Sequence, residues 1–554
     1  MAATLTINGH SVEANPAASI FDHAETLGVR VPTSCHKQGK CRECMVEVTE
    51  GAELLSERTE EERHLSGKFR LSCRTRVEAP SGEVRCHTMR RGNMRVETES
   101  TGLPEGLRGI HIDPAVVRNG ERILLDGEEI ERASGPLYGL AMDLGTTTVV
   151  LRLFDLETGA RIADASFENP QRFGGSDVMS RIHYDCSHPG KLLRRTLAGY
   201  LSHAIEEFPV DPLSIYEMVV VGNSTMRDLF FGHSVYSIGQ NPYRSITEIE
   251  MAEGKRSTTS LSMTGRRALL PIHPRARVYG APIISGHVGA DAAACLLAVD
   301  MAHEDRLIAI MDIGTNTELI VGNRHRILAA SCPAGPAFEG GAIACGMPAL
   351  DGAIEDVTVD AAGSLEVRVI GGGPPQGICG SGLIALLSEL LRTGRMNELG
   401  RFVDGGAGPA DADGGRISLD PDGAVFFLEN DSSELAQAKG AHVAGLQVVA
   451  GSYGVEFSDI EVFYLAGGFG QNLSVPAATR IGLIPNLPPS RVVQAGNAAI
   501  EGASMMLLSM AKRRELEEMV RRVEHCRLET HPHFFDFFVE GCQFKPLEAV
   551  EVTG

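Results

Sequence analysis

Polar and apolar residues alternate along Thr4-Leu5-Thr6-Ile7, Asn8-Gly9 is a two-residue hairpin signal, and Ser11-Val12-Glu13 returns. From Ser19 to Leu27 the spacing becomes helical, with Ile20, Ala24 and Leu27 on one side. Cys44 to Val48 reads as a strand and Thr59 to Leu65 as a short polar helix. Thr75 to Val77 and Glu83 to Arg85 read as closing strands around a Pro80-Ser81-Gly82 turn. A hairpin, a crossing helix and further short strands over residues 1–95 predict a β-grasp unit. Residues 96–137 have weak periodicity and scattered Gly and Pro. They read as a linker with one small helix near Pro114 to Val117, or as a disordered tether.

From Tyr138 the pattern repeats itself. Gly139 to Thr148 runs strand then glycine turn and is followed by Val149 to Leu153. Ile308 to Thr317 does the same and is followed by Glu318 to Val321. Each copy has a downstream companion: Val219 to Ser224 in the first, Tyr464 to Phe469 in the second. Two small-residue helix starts also correspond, Gly286 to Asp291 and Gly496 to Ala499. This predicts two similar halves, 138–305 and 306–554, each a sheet with helices and together flanking a cleft, with a C-terminal extension on the second.

A chain of 554 residues exceeds one core. Its hydrophobic fraction of 43% and charged fraction of 22% are ordinary for a globular protein. The net charge of -21 argues against nucleic acid and anionic membrane surfaces as partners, and is compatible with a basic protein partner. There is no apolar run long enough to span a bilayer and no secretory signal at the N-terminus, so the expected compartment is cytoplasmic. In that setting, closely spaced members of the 12 cysteines read as metal ligands, not disulfides.

Cys35, Cys41 and Cys44 are spaced C-x5-C-x2-C, and Cys73 follows after a 28-residue gap. Three thiolates on one loop with a fourth from a distant strand is how a [2Fe–2S] cluster is wrapped. Gly39 permits unusual backbone angles. Structural zinc is the competing reading, but zinc knuckles usually come as two pairs, whereas Cys73 stands alone. Cys86 competes for the fourth position, and its place in a strand reads as a core thiol.

The second constellation is the pair of Asp-x-Gly-Thr turns. Gly145 and Gly314 let backbone N–H groups approach phosphate oxygens, and Thr146, Thr147, Thr315 and Asn316 add donors. Asp143 and Asp312 end the strands, where they would hold Mg²⁺ through water and orient an attacking water. Gly467, Gly468, Gly470 and Asn472 follow a buried strand and are expected to cradle adenosine. Gly380, Ser381 and Gly382 open an apolar helix whose N-terminus would face the nucleotide. Any one of these loops alone reads as a tight turn; the ordered set points to ATP.

Residues 1–95 resemble a [2Fe–2S] ferredoxin, with a first cysteine gap nearer the adrenodoxin-like subgroup. Residues 138–535 resemble the ribonuclease H-like ATPases of the actin, sugar kinase and Hsp70 superfamily, through Asp143 to Thr147, Asp312 to Thr315 and Gly467 to Gly470. The combination resembles the reductive activators of corrinoid proteins. So do Asn169-Pro170-Gln171, Gly175 to Ile182, Gly222 to Met226 and Pro333 to Gly341. That resemblance implies an α+β multidomain chain carrying a [2Fe–2S] cluster, ATP and Mg²⁺. It would return the inactive Co(II) corrinoid of a methyltransfer protein to Co(I), draw electrons from an unidentified upstream donor, and act as a homodimer. The short segment after the ferredoxin leaves little room for the separate middle domain of some relatives. Asp177 and Glu339 either meet the corrinoid protein or the water, or fix their loops. His287 reads as structural, and Cys332, Cys345 and Cys379 read as core thiols. Rival functions are an activator of another low-potential metalloprotein, a small-molecule kinase with a redox-sensing ferredoxin, and an ATP-gated scaffold.

Overall fold

The computed structural model describes residues 2–89, 102–104, 109–360, 363–403, 415–468 and 473–548. The chain forms two compact units. Described residues up to 89, with Pro114–Val220 and Thr225–Gly280, make the first, and Val221–Ser224 with residues from Ala281 onward belong to the second.

The first unit begins with β1 (Thr4–Ile7), β2 (His10–Glu13), β3 (Met45–Glu50), β4 (Phe69–Leu71) and β5 (Glu83–Thr88). They form one sheet in the order β2-β1-β5-β3-β4, with β1 parallel to β5. Asn8 (φ 49°) and Gly9 (φ 84°) make the turn that their types favour. The helix Ile20–Thr26 crosses the sheet. It is capped by Ser19 and buries Ile20, Phe21 and Ala24. This is the β-grasp arrangement. Thr75 to Val77 is not a strand, however, and meets Leu55 through a single bridge at Val77. The polar helix contracts to a 3₁₀ turn, Glu60–Glu62.

Residues 114–132 hold no helix. β6 (Val116–Asn119), β7 (Arg122–Leu125) and β8 (Glu128–Arg132) form an antiparallel meander in the stretch read as linker. Its two-residue turns are Gly120-Glu121 and Asp126-Gly127, with Gly120, Asp126 and Gly127 all at positive φ. Arg275 donates to the Ile130 carbonyl at 2.9 Å and so ties the meander to the larger sheet beside it.

That larger sheet comprises β9 (Tyr138–Leu144), β10 (Thr148–Asp155), β11 (Arg161–Glu168), β12 (Ile215–Gly222), β13 (Leu261–Thr264) and β14 (Arg277–Gly280), in the order β11-β10-β9-β12-β14-β13. The second unit contains β15 (Ile308–Asp312), β16 (Thr317–Asn323), β17 (Arg326–Cys332), β18 (Ala353–Val359), β19 (Leu365–Val369), β20 (Gly377–Ile378), β21 (Arg416–Ser418), β22 (Phe426–Leu428), β23 (Val462–Ala466), β24 (Val492–Gly496) and β25 (Val523–His525). Its main sheet runs β24-β23-β15-β16-β17-β25. In both sheets three antiparallel strands are followed by a fourth that returns beside the first, and a fifth lies parallel to the fourth. The duplication read from the sequence is thus a duplication of topology, the ribonuclease H-like one. Among the described residues no helix is long and apolar enough to cross a membrane.

Candidate functional site

The loop from Ser34 to Cys44 is shaped by residues at positive φ: His36 (51°), Lys37 (63°), Gly39 (74°) and Arg42 (61°). They turn backbone amides inward. The N–H groups of Cys41, Gln38 and Lys40 point at the Cys35 sulfur, those of Glu43 and Ser34 at Cys41, that of Gly39 at Cys73, and that of Cys73 at Cys44. Gly39 also makes room for a side chain. A Cβ there would lie 2.4 Å from Arg74 Nε, because the Arg74 guanidinium crosses the loop to donate to the Gln38 carbonyl.

Cys44 Sγ lies 3.3 Å from Cys73 Sγ, so the distant fourth cysteine does meet the loop. Cys86 lies in β5 instead, where burial pushes its thiol up to about 12. Cys41, Cys44 and Cys73 are buried, and Cys35 is half-buried. Burial raises the Cys35 thiol, but the amides aimed at it outweigh that and hold it down at about 7. Cys73 is lowered by the thiol hydrogen bond from Cys44, whose own thiol is raised by the same contact. Four thiols with amide dipoles directed at their sulfurs suit a [2Fe–2S] cluster, whose anionic sulfurs need such donors.

This pocket rests on the neighbouring helices of the same unit. Arg195 donates to the Cys41 carbonyl at 3.3 Å, and the Tyr184 hydroxyl donates to the His64 carbonyl at 3.0 Å. Arg172 pairs with Glu47 at 3.4 Å.

In the first unit's Asp-x-Gly-Thr turn, Asp143 stands opposite Val150 near the end of β9. The Gly145 amide donates to the Thr148 carbonyl at 2.9 Å, and a Cβ on Gly145 would come within 2.7 Å of that oxygen. Asn169 braces the turn, its amide on the Thr147 carbonyl (2.6 Å) and its side chain on the Gly145 carbonyl (2.8 Å). Thr146 is buried within it.

The second unit's turn is richer in charge. Asp312 ends β15, and Gly467 at the end of β23 packs directly on it. A Cβ on Gly467 would sit 2.4 Å from the Ile313 carbonyl and 2.9 Å from Asp312 Oδ1. Two motifs 155 residues apart in sequence are thereby joined. Thr315 donates through its hydroxyl to Glu339, and the Gly335 amide closes the loop on the Thr315 carbonyl at 3.0 Å. Gly314 stands close to Glu339, and Asn316 follows in the turn.

Glu318 lies directly across the β15–β16 register from Asp312. It was not read as a site residue, although a glutamate inside an apolar strand is a visible signal. Burial lifts the Asp312 carboxyl to about 6, against the partial relief of a thiol hydrogen bond from Cys295 at 3.6 Å. Burial, and then the charges of Asp291 and Asp312, raise Glu318 well above the usual carboxylate range. Asp291 and Asp312 thus lie close enough to Glu318 for their charges to act on it.

Gly380, Ser381 and Gly382 do open the helix Gly380–Arg392 and are buried. Their visible role is close packing, since a Cβ on Gly382 would lie 2.3 Å from the Ile354 carbonyl of β18. Gly468 is exposed beyond β23, and Gly470 and Asn472 lie outside the described residues.

The fold and these two sites define an iron–sulfur protein joined to an ATPase of the actin and Hsp70 type. Residues 5–78 match the 2Fe-2S iron-sulfur cluster binding domain, 138–304 the RACo middle region, and 306–552 the C-terminal domain of RACo, the ASKHA domain. The corrinoid activation enzyme RamQ of Eubacterium limosum is 32% identical over 464 residues, 79% of this chain and 75% of that protein. The [Co(II) methylated amine-specific corrinoid protein] reductase of Methanosarcina barkeri is 24% identical over 431 residues, 73% of this chain and 76% of that protein. A solved reductive activator for corrinoid, iron-sulfur protein superposes with a TM-score of 0.72 at 25% identity, covering 98% of each chain. The chain belongs to the family of reductive activators of corrinoid proteins. The region this family calls middle coincides with the first duplicated half, so it does not have to fit between ferredoxin and ATPase.

Proposed function

We propose that this chain spends ATP to pass single electrons to a corrinoid-carrying protein, returning its Co(II) to Co(I). What carries the reading is one chain that holds both a four-thiol pocket ringed by amides and two Asp-x-Gly-Thr turns on duplicated sheets. A [2Fe–2S] cluster held by Cys35, Cys41, Cys44 and Cys73 supplies a one-electron carrier, and plant-type centres sit near roughly −400 mV. Each shortfall of about 59 mV against the acceptor costs a factor of ten in a one-electron equilibrium, so a very low-potential acceptor calls for an added energy source.

The chain's own groups supply the rest. Asp312 would hold Mg²⁺ through water and orient the attacking water, and Asp143 takes the same part in the first unit's turn. Gly145, Thr146, Thr147, Gly314, Thr315 and Asn316 receive the phosphates, and Gly467 and Gly468 face the adenosine. Glu339 fixes the Thr315 hydroxyl. An upstream carrier reloads the cluster. The acceptor is written as a corrinoid protein because the curated relatives at 32% and 24% identity are named for that substrate.

The test is anaerobic titration of a corrinoid protein in the Co(II) state with the reduced protein, with and without MgATP, followed by visible absorption. The expected result is a Co(I) band that needs ATP and disappears with Cys41→Ser or Asp312→Ala. A protein that holds its cluster and hydrolyses ATP yet yields no Co(I) with several corrinoid partners would overturn the acceptor assignment.

A further inference from the structure

Glu43 stands between two of the thiols, Cys41 and Cys44, and is only 8% exposed. Its carboxylate accepts from the Ser34 hydroxyl at 2.8 Å and forms no ion pair among the described residues. Its other side is covered by the helix Leu192–Glu206. A Cβ on Gly199 of that helix would meet Glu43 Cγ at 3.7 Å and Oε2 at 3.9 Å, ordinary contact distances. Glu47, one turn of the pleat further on and equally buried, is different because Arg172 pairs with it at 3.4 Å. Of these two buried carboxylates Glu43 is the one outside an ion pair, with Arg195, one turn before Gly199, reaching the Cys41 carbonyl instead.

A buried negative charge that no cation offsets is costly, and such groups persist where they serve a purpose. Reduction of a [2Fe–2S] site takes in one electron, converts one ferric iron to ferrous, breaks no bond and adds one unit of negative charge. The amides around the sulfurs favour that added charge and so raise the potential; a fixed carboxylate opposes it. Net charge, hydrogen bonds to sulfur and solvent exposure are the terms that set such potentials.

We propose that Glu43 is a potential-setting residue, a buried carboxylate outside any ion pair beside the cluster, that makes the reduced protein a stronger one-electron donor. The proposal rests on the [2Fe–2S] reading of the thiol pocket and does not depend on the identity of the acceptor. It gives the C-R-E-C segment a role beyond ligation, and it lets the first ATPase half bury the charge through Gly199.

The measurement is the midpoint potential of the cluster in the full-length protein, by spectroscopically monitored redox titration against reference dyes at one fixed pH. Glu43→Gln should shift the equilibrium with the dye about tenfold toward the reduced cluster, a rise of about 59 mV. Glu43→Asp keeps the charge and should stay near the native potential. Glu47→Gln removes a charge that Arg172 already offsets and should shift less than Glu43→Gln. Gly199→Lys brings a cation against the carboxylate without touching the ligand loop, and should raise the potential even if Glu43→Gln fails to hold a cluster.

A native potential in both Glu43→Gln and Gly199→Lys, with cluster absorption intact, overturns the proposal. Equal shifts in Glu43→Asp and Glu43→Gln overturn it too, because they would show packing and not charge at work. A native protein without iron and sulfide defeats the cluster reading itself, an outcome distinguishable from an unshifted potential.

Discussion

At Asp312 burial outweighs the single thiol donor, and the carboxyl titrates near 6 instead of its ordinary 3.8. The folded value lies above the unfolded one, so the fold resists ionisation. The associated stability is whole below about pH 4 and lost as pH rises through about 6. A shift of about two units is worth about 3 kcal/mol at most. Asp312→Asn should therefore raise the melting temperature of the nucleotide-free protein at pH 7.5, with the gain vanishing near pH 4, while ATP hydrolysis falls about 10²- to 10⁴-fold. Differential scanning calorimetry across pH checks the first part and phosphate release the second. Mg²⁺ should recover part of the same stability in the native protein and none in the variant.

Lys439 poses the opposite case. It is buried, its ammonium reaches the Gly482 carbonyl at 3.4 Å and lies 5.9 Å from the Phe544 ring centre, and burial pushes it down to about 7. A depressed lysine costs stability below its unfolded value near 10.5, so stability should climb with pH from about 7 towards 10.5. Lys439→Met should stabilise the protein at pH 7 by on the order of 1–3 kcal/mol, and the advantage should shrink by pH 10. Denaturant midpoints at the two pH values decide it.

Among the elements, the helices Ala290–Ala298 and Ala498–Leu508 show why small residues were placed where the sequence repeats. A Cβ on Gly502 would come within 2.1 Å of the Ala294 carbonyl, a backbone atom that cannot turn aside. Gly502→Ala must push the helices apart at a cost of about 1–3 kcal/mol. Because the first of them carries Asp291 and Cys295, ATPase activity should fall along with stability. A variant with the native denaturation midpoint would contradict the packing account.

The elements also separate what local chemistry announces from what it hides. Asn8-Gly9 announced its hairpin. Asn119-Gly120 and Asp126-Gly127 carry the same signal, yet the charges around them made β6 to β8 look like linker. β4 was hidden because its middle residue is Arg70, buried only by virtue of its 2.9 Å pairing with Glu62. A charge that tertiary structure neutralises erases the alternation on which a sequence reading depends.

At the scale of the whole molecule, the ferredoxin region and the first duplicated half belong to one compact unit, where Arg195 holds the cluster loop at the Cys41 carbonyl and Tyr184 holds the His64 carbonyl. Each hydrogen bond contributes about 1 kcal/mol net. Arg195→Ala combined with Tyr184→Phe should therefore speed cluster loss to a chelator about tenfold or more, read as bleaching of visible absorption, with the isolated ATPase rate unchanged. An unchanged bleaching rate would mean that the loop holds itself.

The sequence by itself determined the two chemistries and the duplication. Thiol spacing, paired Asp-x-Gly-Thr turns and repeated strand patterns are local or periodic, and local order survives in a one-dimensional string. Only the tertiary structure decided which groups meet. Gly467 is set on Asp312 because β23 returns beside β15. Glu318 comes under the charge of Asp312 because antiparallel register carries it across from that residue. Glu43 loses water because Gly199 comes from a helix more than a hundred residues away. Burial and charge compensation are properties of neighbours in space, and those neighbours are chosen by sheet topology, which no stretch of sequence contains.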